Sequence, residues 1–167
     1  MVAPPIALHG PDAACHDHHA QPGDFARAIE ALRATRGATV TTALTRSNYR
    51  ALAAMPALLH AHGAAAWHVV VAPFAEATTD QPARSPRLAL ALPFALHALA
   101  RAEQLGLAIA IVDAPRCLLG RFAPSLVITA PRSFPAPCEA CTARARCGGV
   151  DAAYAARFGA DELAPVA

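Results

Sequence analysis

Four short apolar segments, spaced by stretches long enough for a helix, constrain this chain more than any other feature. They cover residues 6–9, 39–44, 67–71 and 107–112, and each ends at a turn signal or a polar residue. The segment over 39–44 is rich in β-branched side chains and 107–112 is an almost continuous apolar run, both patterns that favour strands. The intervals read as helices. One starts at Pro22-Gly23-Asp24, with Asp24 as N-cap, keeps Phe25, Ile29 and Leu32 on one face, and closes at Gly37. A second runs from Ser47 or Asn48 to His62 and stops at Gly63. A third opens at Ser85-Pro86, bends at Pro93 and ends near Leu105-Gly106. Residues 75–83 read as a loop, as does the polar stretch Cys15-His16-Asp17-His18-His19.

Strand and helix in strict alternation predict an α/β fold with a parallel sheet and right-handed crossovers. The apolar strands predict helical cover on both sheet faces. Four barrel-type strands are half of a closed eight-stranded (β/α) barrel. The expected architecture is therefore a partial parallel barrel over 1–114, followed by a small Cys-rich extension over 115–167. Short strand potential at Leu126-Val127-Ile128 and a last helix near 151–158 fall in that extension.

A net charge of +2 with scattered arginines supplies no field for nucleic acid. The longest apolar stretch, 88–100, is interrupted by Pro93 and His97 and is too short for a bilayer. The N-terminus lacks the basic and apolar regions of a signal peptide, so the expected location is cytoplasmic. Cysteines there stay reduced, and closely spaced ones more often hold metal than disulfides.

Cys138-x₂-Cys141-x₅-Cys147 precedes Gly148-Gly149, and Cys117 follows the last predicted strand. Two thiolates two residues apart chelate one centre across a turn, and four suit either a [4Fe–4S] cluster or structural zinc. A thioredoxin-type pair is disfavoured, because Cys138-Glu139-Ala140-Cys141 does not link a strand to a long helix. The histidines admit a metallohydrolase reading, although His68 lies inside its strand rather than at the end. Capping of the loop is the simpler role for His16-Asp17.

The run Pro137-Cys138-x₂-Cys141-x₂-Arg144-x₂-Cys147-Gly148-Gly149-Val150, followed by Tyr154, Phe158-Gly159 and Asp161-Glu162-Leu163, resembles the C-terminal tail of radical SAM proteins with a SPASM or twitch-like extension. Leu8-His9-Gly10-Pro11-Asp12, His16-Asp17, Pro22-Gly23-Asp24-Phe25 and Leu44-Thr45-Arg46-Ser47-Asn48 resemble that family's third and fourth barrel strands with their loops. Pro115-Arg116-Cys117-Leu118-Leu119-Gly120 fits as well, so the resemblance spans nearly the whole chain. It implies an auxiliary [4Fe–4S] cluster at Cys117, Cys138, Cys141 and Cys147. It implies S-adenosylmethionine contacts at Thr45, Arg46, Ser47 and Asn48 once the barrel is complete, although Ser47 and Asn48 equally suit helix capping. The implied substrate is a peptide or small molecule.

Two departures stand out. Asp151 occupies the place where the SPASM pattern has a further cysteine, which makes Cys117 the natural fourth ligand or leaves an iron open to substrate. The CxxxCxxC loop of the catalytic cluster is absent, so the expectation is a fragment, or a chain completed by an N-terminal radical SAM half on another chain. The alternative function is a zinc- or cluster-stabilised binding module without catalysis of its own.

Overall fold

The computed structural model describes residues 4–74, 84–129 and 132–166, so the loop expected over 75–83 lies outside the described residues. It contains one five-stranded, all-parallel sheet whose strands lie side by side in chain order. They are β1 (Ile6–Ala7), β2 (Thr39–Ala43), β3 (Ala66–Val70), β4 (Ala108–Val112) and β5 (Leu126–Val127). The helices are α1 (Ala13–Asp17), α2 (Asp24–Ala34), α3 (Met55–Ala61), α4 (Leu88–Gln104) and α5 (Ala152–Phe158). The protein is thus α/β, with a fifth strand drawn from the segment assigned to the Cys-rich extension.

Strands in chain order joined by crossovers of the usual right hand are expected to place successive helices on a single face of the sheet. The burial pattern agrees. Val40, Trp67, Val69 and Ile111 are buried and share a core with Leu32, Leu59, Leu92 and Leu99. On the other face, the registers Thr39–Ala66–Ala108, Thr41–His68–Ala110 and Ala43–Val70–Val112 leave β2 and β3 half-exposed. Ala110 and Val112 of β4 are buried. Cover on both faces, as the apolar strands suggested, is therefore not what forms. Alanine and threonine on the second face are small enough to tolerate half-exposure, so apolar content alone overstated their burial.

Polar contacts also depart from the expected caps. The polar stretch after β1 folds as α1, because the Asp12 carboxylate caps it by accepting from the Cys15 N–H at 2.8 Å. Asp24 is the first residue of α2 rather than its cap, and the cap position falls to Gly23 at φ 85°. The Asp17 carboxylate accepts from the Gly23 and Phe25 N–H groups, both at 2.8 Å, and so ties the loop to the start of α2. Ser47 and Asn48 do not cap α3, which is entered through a 3₁₀ turn at Ala51–Ala54. At α4 the first N–H groups are met from the far end of the chain. Leu88 donates to the Tyr154 hydroxyl at 2.7 Å and Ala89 to the Glu162 carboxylate at 3.0 Å. Among the described residues no helix is long and apolar enough to cross a membrane.

Candidate functional site

The cysteine segment is built from tight turns. Cys141 N–H donates to the Cys138 carbonyl, Arg144 to that of Cys141, and Cys147 to that of Arg144, each at 3.2 Å. Three-residue turns bring side chains at i and i+3 to one side. Cys138, Cys141, Arg144 and Cys147 accordingly all line one pocket. Gly149, at φ 75°, and Val150, which bridges to Ser133 in antiparallel fashion, also line it. Cys117, in the 3₁₀ turn Arg116–Leu118 after β4, contributes to the same pocket from the sheet side. The sequence-predicted metal residues are therefore all brought to one cavity wall.

Several peptide N–H groups are aimed at these sulfurs. Arg116 and Gly149 donate to Cys147 Sγ, and Val166 donates to Cys141 Sγ, each at 3.4 Å. Residues 163–166 lie across the pocket as a strap, held where Thr142 N–H donates to the Val166 carbonyl at 3.0 Å. Burial pushes the thiols of Cys117 and Cys138 up, and the neighbouring thiols add to this. The pocket as a whole has a free volume of only about 20 Å³, room for a water. Among the described residues no group of three or more His, Cys, Asp or Glu side chains is arranged to hold a metal ion. The four cysteines thus share one pocket wall with little free space between its lining residues.

A second hollow, about 250 Å³, lies at the C-terminal ends of β1 to β3 and is lined by His9, His19, Thr45, Pro73 and Arg84. Ligands of open parallel sheets bind at this end. Burial, followed by the adjacent His18 and His9, lowers His19 from 6.5 to about 4, and burial likewise lowers His9 and His16. His19 Nε2 lies 2.7 Å from Ser47 Oγ and 3.2 Å from Thr45 Oγ1. His16 Nδ1 accepts from the His9 N–H at 2.9 Å, whereas His9 Nδ1 is buried without a partner.

The four residues predicted to contact S-adenosylmethionine separate by role. Thr45 faces the strand-end hollow. Ser47 is exposed and reaches it through His19. Arg46 lines a different cleft, described below. Asn48 is fully buried and committed to the backbone. Its Oδ1 accepts from Thr45 N–H at 2.8 Å, and its Nδ2 donates to the His9 and Ala43 carbonyls at 2.9 and 2.7 Å. This amide fastens the ends of β1 and β2 together.

Sequence reasoning missed one buried pair. Asp113, at φ 57°, accepts from Thr129 N–H and hydroxyl and stands 3.7 Å from Arg132. Arg132 also donates to the Val71 carbonyl at 2.6 Å, so it joins β3, β4 and the Cys-rich segment. An aspartate directly after an apolar strand was the available signal; its arginine partner, 19 residues on, had none. No family model, curated protein or solved structure matches the chain.

Proposed function

We propose that Cys117, Cys138, Cys141 and Cys147 hold a [4Fe–4S] cluster, and that the chain is the C-terminal portion of a radical SAM protein in which this cluster is auxiliary. The observation that carries the reading is the convergence of four thiols from two separate segments on one pocket wall. The N–H groups directed at Cys141 and Cys147 add to it, since hydrogen bonds to sulfur set the potential of such clusters. Bound iron would deprotonate its cysteine ligands, against the burial that pushes the Cys117 and Cys138 thiols up. The cluster would supply one-electron chemistry; Cys117 would anchor it to the end of β4 and the other three to the extension.

On this reading the sheet is part of a (β/α) barrel. Its half-exposed face and the edge of β1, unpaired among the described residues, support further strands, contributed by the same polypeptide or by a second chain. The substrate is a peptide or small molecule, and Thr45 and Ser47 remain the candidates for S-adenosylmethionine contact in the completed barrel.

Anaerobic reconstitution with iron and sulfide, followed by metal analysis and a visible spectrum, tests this directly. About four irons per chain and a broad band around 400 nm, both lost in Cys138→Ala and reduced in Cys117→Ala, are expected. One zinc per chain and a colourless protein would replace the cluster with a structural zinc site.

A further inference from the structure

Arg46, Arg50, Arg87 and Arg157 converge on a cleft of about 500 Å³ beside the start of α4. They come from the loop after β2, the residue preceding α4, and α5. All four are exposed. Among the described residues no carboxylate lines the cleft, and of these four arginines Arg87 alone has an ion pair, with Glu162 at 3.6 Å. Arg50 and Arg157 instead lie over the rings of Tyr49 and Phe158. A cleft of this size with guanidinium groups on three elements, in a chain of net charge only +2, is a concentrated anion receptor.

The shape of the charge says which anion. Phosphate is commonly seated on free N–H groups at a helix N-terminus. Here the Leu88 and Ala89 N–H groups are already taken by Tyr154 and Glu162. What remains is side-chain recognition spread along the cleft, with Leu90, 54% exposed, and Phe158 as apolar wall. An extended ligand alternating carboxylates with apolar groups matches both. The cleft also adjoins the strand-end hollow: Thr45 and Arg84 line one, Arg46 and Ser85 the other, and the Arg46 N–H donates to the Arg84 carbonyl at 2.9 Å.

We infer that this arginine cleft binds an acidic peptide segment and leads it toward the hollow at the strand ends. The inference narrows the substrate class proposed above and rests on that reading only for the chemistry that follows binding.

Fluorescence anisotropy with a short labelled peptide of alternating glutamate and leucine tests it, with glutamine–leucine and lysine–leucine peptides as controls. Only the glutamate peptide should bind. Binding should weaken as salt rises from about 0.1 to 1 M, which shortens the screening length from about 10 to 3 Å. Arg46→Ala/Arg157→Ala, two exposed side chains, should lower affinity about tenfold, and Arg33→Ala on the far end of the sheet should not. Cys138→Ala should bind as the parent does, which separates this result from the fate of the cluster. Equal binding of the glutamine peptide, or an unaffected double variant, overturns the inference. So does tighter, arginine-dependent binding of pyrophosphate, which would make the cleft a phosphate site.

Discussion

Replacing Asn48 by alanine removes three hydrogen bonds at once, and all three partners are backbone groups. Thr45 N–H loses its acceptor, and the His9 and Ala43 carbonyls lose a donor, at a position with no solvent exposure. At about 1 kcal/mol net for each bond, the variant is expected to lose about 3 kcal/mol. Urea denaturation followed by circular dichroism reads this as a midpoint lowered by roughly 1.5 M, taking a slope of about 2 kcal/mol per M. Asn48→Asp sharpens the test. It keeps the acceptor for Thr45 but sets a carboxylate against two carbonyl oxygens, so at pH 7 it should destabilise at least as much as alanine. Protonation at lower pH restores one donor, so the gap between aspartate variant and parent should narrow as pH falls. A loss below about 1 kcal/mol for Asn48→Ala would refute the structural role and return Asn48 to the ligand contacts that its position after β2 suggested.

Two further outcomes follow from buried geometry. His19 titrates near 4 in the folded chain against 6.5 ordinarily, so the unfolded state takes up the proton first. Stability is therefore full above about pH 6.5 and falls as pH drops toward 4, by about 1–2 kcal/mol once partial exposure is allowed for. Thermal melts across this window should show the slope reduced in His19→Gln, and an unchanged slope would contradict the lowered titration of His19. Gly149→Ala places a Cβ 2.3 Å from the Ser133 carbonyl at φ 75°, whereas Gly63, at the same φ, has nothing within 4 Å. Gly63→Ala should cost only the left-handed penalty of about 1–2 kcal/mol. Gly149→Ala should cost clearly more, and, if the proposed cluster forms, it should also lower iron loading, because Gly149 lines the cysteine pocket.

What the sequence made legible was what local patterning controls. The positions of β1 to β4, the breaks at Gly37, Gly63 and Gly106, and the start of α5 at Asp151 all follow from apolar runs, left-handed glycines and a side-chain cap. Cys138, Cys141 and Cys147 line one pocket because spacings of three and six residues repeat the turn of a 3₁₀ segment. Asp24 and Asn48 misled because a cap and a tertiary anchor use the same residue types. Asp17, seven residues upstream of Asp24, took the role assigned to it. β5 was readable only as strand potential, because two residues carry no periodicity and the strand exists through its pairing with β4. The arginine cleft left no sequence trace at all: its four residues span positions 46 to 157 and meet only after the chain has folded.

That meeting has one geometric cause. In a parallel sheet every strand exits at the same end, so each loop that follows a strand is delivered to one rim. Thr45 and Arg46 leave β2 there, Arg84 approaches α4 there, and Asp113 and Cys117 leave β4 there. The C-terminal segment then crosses back to this rim. Glu162 and Tyr154 grip the start of α4, beside the arginine cleft, while residues 163–166, next in sequence, lie across the four thiols. The clamp on α4 and the strap over the cysteines are thus consecutive parts of one peptide.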